Sequence, residues 1–175
     1  MIILRRAISP SLRFVFDMLL IYGVCHALYF AISDQFLHDV AYPRLFGAPS
    51  VAVIHALDSD SQVQVLANRI GSPRAVLEVV RGYDGSGMWF LIAAAVLAFP
   101  GTWRYKIIGL FAGTALVYVL NVMRLVGLYF VAAGQPAWFL PLHTYFVPTL
   151  LIVIISLFFM TWAARAVTNA LPFPP

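Results

Sequence analysis

Residues 107–133, with the sequence IIGLFAGTALVYVLNVMRLVGLYFVAA, form a long apolar run that indicates the fold class of this chain. It carries a single charged side chain, Arg124. A helix needs about 20 mostly apolar residues to cross the roughly 30 Å hydrocarbon core of a bilayer. This stretch is longer than that, so we expect it to span a membrane even when the helix is tilted.

The composition of the whole chain also indicates a membrane protein. Of its 175 residues, 62% are hydrophobic and 10% are charged, whereas an ordinary soluble domain has about 45–50% apolar and about 25% charged residues. So few charges cannot cover a surface that faces water, which excludes a soluble enzyme, a coiled coil and a disordered chain. The net charge of +4 is therefore interpreted as a topology signal and not as a nucleic-acid-binding surface. The single cysteine, Cys25, excludes an intramolecular disulfide.

Three further apolar stretches approach the length of a membrane span. We therefore predict an all-α polytopic membrane protein that forms a single domain over residues 1–175, with about four transmembrane helices and no internal repeat. The predicted spans cover residues 14–32, 86–100, 107–133 and 142–164.

Basic residues determine the predicted orientation of these spans. Six of them lie on one side of the membrane if both termini are cytoplasmic: Arg5, Arg6, Arg13, Arg104, Lys106 and Arg165. Because cytoplasmic loops carry an excess of Lys and Arg, we predict that both termini are cytoplasmic. The outer side then receives the segment 33–85, which holds six of the seven acidic residues.

The outer segment 33–85 has patterns of its own. Residues 62–68 and 75–81 are rich in alternating β-branched residues on either side of a connection that contains Gly and Pro, which predicts a small β-hairpin. Residues 40–57 mix prolines, aromatic and aliphatic residues, and this mixture indicates an interfacial or re-entrant stretch. At the other end of the chain, the proline-rich residues 171–175 predict a frayed tail.

Several polar residues lie within or beside apolar spans, where burying a polar side chain costs free energy. An ionised Arg124 at mid-bilayer would cost between about 2.5 and more than 10 kcal/mol unless it faces protein or water. Asn121 lies one helical turn earlier on the same face, and His143 begins the next span after a short turn. The Gly-rich turn 82–87 enters the second span from the same side of the membrane. We therefore predict a polar pocket at the outer membrane face.

Each of these features also has a purely structural interpretation. Arg124 could extend to the lipid headgroups, His143 could be an ordinary interfacial residue, and the Gly-rich turn needs only to be a tight connection. The coincidence of all three at one membrane level is what favours a functional site.

Other polar residues have local explanations. Asp17 lies one turn from Arg13, which predicts an ion pair, and Cys25 lies deep in the first span, where a thiol is expected to serve packing. His38, His55 and the acidic residues near them lack the spacing of a metal site. No metal and no cofactor are therefore predicted.

The motifs Gly82-Tyr83-Asp84-Gly85, Asn121-Val122-Met123-Arg124 and His143 resemble the exosortase/archaeosortase family of integral-membrane cysteine transpeptidases. They occur in the family's order and on the corresponding elements. The resemblance covers about residues 75–162.

The resemblance implies a bacterial inner-membrane protein that recognises, cleaves and transfers exported proteins at a C-terminal sorting signal with an apolar anchor helix. Its implied partners are such an exported protein and the lipid bilayer, and no nucleic acid. In the family's scheme Arg124 would stabilise the oxyanion and His143 would be the general acid and base. Asn121 would orient one of them, and Asp84 and Gly85 would support the turn that carries the nucleophile.

The chain departs from the family pattern at the nucleophile, because Tyr83 stands where the family has a cysteine. Three explanations stay open. The chain is a non-catalytic homologue that keeps the pocket for binding, or it is a substituted form of an active enzyme, or Tyr83, Asp84 or Ser86 supplies another nucleophile. An alternative function is that of a non-enzymatic membrane accessory subunit of an export or exopolysaccharide-assembly system.

Overall fold

The computed structural model describes residues 9–170, with side chains up to residue 166. Arg5 and Arg6, used above for the orientation, and the expected tail at 171–175 lie outside the described residues. The chain is mostly helical, with one small sheet. Its α-helices and strands are α1 (Pro10–Phe30), α2 (Asp34–Phe36), α3 (Ala48–Leu57), β1 (Gln64–Leu66), β2 (Arg69–Ser72), β3 (Ala75–Glu78), α4 (Ser86–Ala98), α5 (Trp103–Gly134), α6 (Phe139–Pro141) and α7 (Val147–Ala170).

Three helical stretches are long and apolar enough to cross a membrane. They are Pro10–Phe30, Trp103–Gly134 and Pro136–Ala166. The predicted span at 86–100 forms α4, which has only 13 residues and is therefore about 20 Å long, less than the roughly 30 Å hydrocarbon core. The described residues thus contain three membrane-length helices and one short apolar helix.

The predicted strands at 62–68 and 75–81 form as β1 and β3, but the prediction that they make a two-stranded hairpin is wrong. The two runs do not pair with each other, because β2 forms between them and pairs antiparallel with β1 on one side and β3 on the other. Gly71 and Pro73 predict a loop over the whole connection, whereas only Pro73 and Arg74 form a turn in the structure. Ile70, in the middle of β2, is buried in the core, and burial of this side chain explains why the connection becomes a central strand.

The sheet packs against the last third of α5. Val122, Val126 and Tyr129 of this helix are buried together with Ile70 and Leu77 of the sheet. With 32 residues, α5 is about 48 Å long and exceeds the bilayer core. Its C-terminal part is therefore covered by the protein's own sheet.

The predicted interfacial stretch at 40–57 is helical. Two π-helical turns, Leu37–Ala41 and Pro43–Gly47, lead into α3. A further π-helical turn, Leu142–Phe146, precedes α7. Each of these turns widens the helix by one residue relative to an α-helical turn.

Two glycines of α5 allow close approach of neighbouring helices. A Cβ at Gly109 would lie 2.5 Å from the indole ring of Trp162 in α7, and one at Gly113 would lie 3.0 Å from Ile92 in α4. Small residues four apart on one helix face are typical of tight packing between apolar helices. The two glycines thus allow α4 and α7 to pack closely against α5.

We predict that Gly109→Ala destabilises the protein by about 1–3 kcal/mol, the usual range for overpacking. Trp162 cannot move away easily because its ring is packed against Phe99 and Phe159. The thermal unfolding midpoint in detergent, followed by circular dichroism, measures the effect. Gly127→Ala is the control, since nothing lies within 4 Å of its Cβ position. Equal midpoints for the two variants would show that the helices are not closely packed at Gly109.

Candidate functional site

The turn at residues 82–87 connects the sheet to α4. Gly82 and Gly85 both adopt a left-handed backbone, with φ of 86° and 88°, which glycine adopts without the steric penalty of a Cβ. Gly85 is the N-cap of α4. The two glycines let neighbouring side chains of the turn differ sharply in exposure: Tyr83 is 68% exposed, whereas Asp84 is only 4% exposed.

Asp84 is hydrogen-bonded to three helices. Its Oδ2 accepts from the Tyr29 hydroxyl of α1 at 2.5 Å, and its Oδ1 accepts from the Ser86 hydroxyl of α4 at 2.8 Å. Its backbone carbonyl accepts from Nδ2 of Asn121 in α5 at 2.6 Å. A buried carboxylate is strongly unfavourable unless it is hydrogen-bonded. These bonds therefore stabilise Asp84 and hold the end of α1 and the start of α4 against the middle of α5.

Sequence reasoning missed Tyr29 and Tyr42, which extend this network. Their hydroxyl oxygens are 2.7 Å apart. Because Tyr29 gives its single hydroxyl proton to Asp84, Tyr42 must donate to Tyr29. Burial raises the pKa of the Tyr42 phenol, which keeps this donor protonated.

Arg81, also missed, fixes the start of the turn to the end of α1. Its guanidinium donates to the carbonyl of Tyr29 at 3.0 Å, to the carbonyl of Ile32 at 2.5 Å and to Asp34 Oδ1 at 2.9 Å. Cations near a helix C-terminus interact favourably with its free carbonyls. Only the contacts, and not the spacing along the sequence, reveal this role.

Arg124 is 9% exposed and lies inside the protein, so it does not extend to the headgroups. It interacts electrostatically with Asp84 and with His143. Among residues 9–166 it has no carboxylate partner within ion-pair distance, and its Nε has no hydrogen-bond acceptor. Its guanidinium is therefore buried without a direct partner.

His143 lies beside Tyr83. The two ring centroids are 5.9 Å apart, and the imidazole stacks on Phe139 at 5.4 Å with an angle of 6° between the ring planes. The His143 Nδ1 is buried and has no hydrogen-bond partner within the described residues. The stacking holds the ring in place while this nitrogen stays available.

The structure thus brings the predicted residues together around the turn 82–87, on two sides of it. Tyr83 and His143 are in contact, and Arg124 acts electrostatically on His143. Asp84, Gly85 and Asn121 line a mostly apolar cavity of about 290 Å³ on the inner side of the turn. The roles assigned to these residues stay predictions.

The remaining sequence predictions concern residues away from this turn. The ion pair between Arg13 and Asp17 is confirmed at 3.6 Å. Cys25 is partly buried and packs against an apolar cluster that includes Tyr29 and Phe90, which confirms its packing role. No group of three or more His, Cys, Asp or Glu side chains in the described part of the chain could hold a metal ion.

Comparison of the chain with family models, with curated proteins and with solved structures found no match.

We predict that Gly85→Ala destabilises the protein more than Gly82→Ala. Both variants force alanine into a left-handed backbone, which costs about 1–2 kcal/mol. The new Cβ at Gly85 would in addition lie 2.7 Å from Asn121 Oδ1, whereas nothing lies within 4 Å at Gly82. Displacement of Asn121 would break its bond to Asp84 and add at least about 1 kcal/mol.

Thermal unfolding midpoints of the two variants in the same detergent test this difference. If Gly82→Ala lowers the midpoint as much as Gly85→Ala does, the contact between the turn and Asn121 does not contribute.

Proposed function

We propose that this protein is an exosortase-like membrane protein that recognises exported proteins at a C-terminal sorting signal. The observation that carries the proposal is the pair of unpartnered nitrogens, Arg124 Nε and His143 Nδ1. A buried polar group without a partner costs about 1–3 kcal/mol. A bound peptide would supply hydrogen-bonding groups for both, because its backbone carries a carbonyl and an amide at every residue.

The proposed location is the bacterial inner membrane, with both termini cytoplasmic and the pocket at the outer face. Arg13 and Lys106 line one cavity at one end of the helices, while Asp84 and the sheet lie at the other end. The positive-inside rule assigns the basic end to the cytoplasm. The pocket then lies where the anchor helix of an exported protein emerges from the bilayer.

Tyr83 favours recognition without cleavage in this chain. A phenol is protonated at neutral pH and is a much weaker nucleophile than a thiolate. Cys25 does not replace the missing thiol, since it packs in an apolar cluster with Tyr29 and Phe90.

A thiol at position 83 would lie on the side of the turn that faces His143, whose ring contacts Tyr83, and the family's scheme of acyl transfer then assigns the following roles. His143 would take the thiol proton, and the sulfur would attack the scissile carbonyl carbon to form a tetrahedral intermediate. Arg124 would stabilise the oxyanion. The C–N bond would then break, with the proton passing from His143 to the leaving amine, and a thioester would stay on residue 83.

We predict that Tyr83→Cys creates processing activity towards an exported protein from the same genome that ends in a short motif, an apolar helix and a basic tail. Co-expression followed by an immunoblot for the shortened product measures it. Tyr83→Ala and the double variant Tyr83→Cys/His143→Ala are the controls, and neither should cleave. Cleavage by the unaltered chain would show that another nucleophile serves. Absence of cleavage by well-expressed Tyr83→Cys would count against acyl-transfer geometry at this site.

We predict that Arg124→Gln weakens co-purification of the same exported protein about tenfold or more. A hydrogen bond from a charged group contributes about 1.5–3 kcal/mol, and 1.4 kcal/mol corresponds to a factor of ten. Arg74→Gln is the matched control, because Arg74 is an exposed arginine of the same outer segment that pairs with Asp58. Thermal unfolding of each variant checks that the fold persists.

Retention of full binding by both Arg124→Gln and His143→Ala would contradict recognition at this pocket. The alternative, a non-enzymatic accessory subunit of an export or exopolysaccharide-assembly system, would then account better for the chain, since it requires no buried polar pocket.

A further inference from the structure

A second cavity lies at the opposite end of the helices from the candidate site. It has a volume of about 600 Å³ and is enclosed by the start of α1, the end of α4 and the beginning of α5. Its position follows from the lengths of the helices. With 13 residues against 21 in α1, α4 is about 12 Å shorter than its neighbour. The space that a longer α4 would fill stays open.

The charged groups around this cavity have an excess of positive charge. Arg13, Asp17 and Lys106 line it. The Arg13–Asp17 pair is 3.6 Å long and exposed, and such pairs contribute little binding energy. No carboxylate of residues 9–166 lies within ion-pair distance of Lys106. The cavity therefore has two cations and one carboxylate, and the carboxylate offsets only one of the cations.

Lys106 is held in an orientation that leaves donors free. Its Nζ donates one hydrogen bond to the carbonyl of Leu97 at 2.5 Å, near the C-terminal end of α4. An ammonium group has three N–H donors, so two are not used in this bond; the ammonium also lies 5.5 Å from the centroid of the Trp103 ring. The bond to α4 fixes the ammonium at the edge of the open space.

The rest of the lining is apolar and adjoins the exterior of the helices. Phe14, Leu20, Ile21 and Leu97 belong to it, and Leu20 is among the exposed apolar residues of α1. A free anion would leave this apolar part uncovered. A ligand with an anionic head and an apolar chain would satisfy both parts of the lining.

We propose that this cavity binds an anionic phospholipid, with the phosphate between Arg13 and Lys106 and one acyl chain along Leu20, Ile21 and Leu97. Basic pockets between membrane helices commonly bind anionic headgroups. The lipid would fill the space beyond the end of α4 and hold α1 and α5 at their separation there. The inference rests on the membrane location only, not on recognition of an exported protein.

The test uses the full chain in detergent, titrated with phosphatidylglycerol or with phosphatidylcholine of the same acyl chains. Bound lipid is counted by native mass spectrometry, and the thermal unfolding midpoint is recorded in parallel. We expect phosphatidylglycerol to bind and to raise the midpoint, as any ligand specific for the folded state does. Phosphatidylcholine should bind at least several-fold more weakly. Equal binding and equal stabilisation by the two lipids would overturn the proposal.

Charge-removing variants locate the site. Arg13→Gln and Lys106→Gln should each lower the affinity for phosphatidylglycerol about fivefold, which corresponds to about 1 kcal/mol per basic residue near an anionic lipid. Arg104→Gln is the matched control, because Arg104 is exposed, lies two residues before Lys106 and does not line the cavity. An equal loss with Arg104→Gln would show attraction to the basic end in general and would overturn a specific site.

Two further measurements distinguish the remaining outcomes. Lys106→Gln also removes the bond to Leu97 and could loosen α4. Arg13→Gln leaves that bond intact. Unchanged binding of phosphatidylglycerol by folded Arg13→Gln therefore contradicts the proposal. Inorganic phosphate is titrated in place of lipid. If it gives the same stabilisation at comparable concentration, the site takes a free anion and the acyl-chain part of the proposal is wrong.

Discussion

A buried carboxylate beside the start of the short apolar helix α4 constrains one end of this protein. Asp84 is almost fully enclosed, and an ion taken out of water in this way is tolerated only with well-placed hydrogen bonds. Tyr29 of α1 and Ser86 of α4 donate to the carboxylate, and Asn121 of α5 donates to the backbone carbonyl of the same residue. Because each partner belongs to a different helix, the end of α1 and the start of α4 must meet the middle of α5 wherever these bonds form.

The burial of Asp84 also determines where the other side chains of the candidate site lie. The left-handed glycines on either side of Tyr83 and Asp84 let the acid be buried while the tyrosine stays exposed beside His143. Asp84 acts on Arg124 electrostatically but forms no ion pair with it among the described residues. A direct pair would have occupied the guanidinium. Without a direct pair, the hydrogen-bond donors of Arg124 stay free for a ligand.

Much of this arrangement follows from sequence rules, and the rest depends on contacts between distant residues. Helical spacing alone places Asn121 and Arg124 on one face, and the i,i+4 rule gives the Arg13–Asp17 pair. Tyr29, in contrast, stands in an apolar run where an aromatic residue is ordinary, and its partner Asp84 is 55 residues away.

The sequence does not reveal the central strand β2 or the part of α5 that packs on the sheet, and the reasons are related. The Gly and Pro of the 69–74 segment match a turn as well as they match the edge of a strand, and only the burial of Ile70 distinguishes the two. An apolar α5 is compatible with lipid along its whole length. Its last third instead packs on the sheet, because an apolar helix face is satisfied equally by lipid and by protein.

The shortness of α4 connects the two ends of the molecule. Its first turn is fixed at the level of Asp84, since moving Ser86 away would separate Asp84 from Tyr29 and Asn121. A helix of 13 residues that begins at this level cannot reach the opposite surface, so the whole deficit of length falls at the basic end. There the carbonyl of Leu97 receives the Lys106 ammonium, and an open volume stays between α1 and α5. Lengthening α4 at its C-terminus would close that volume and leave the site around Asp84 unchanged, which makes the two sites separable by design although one short helix produces both.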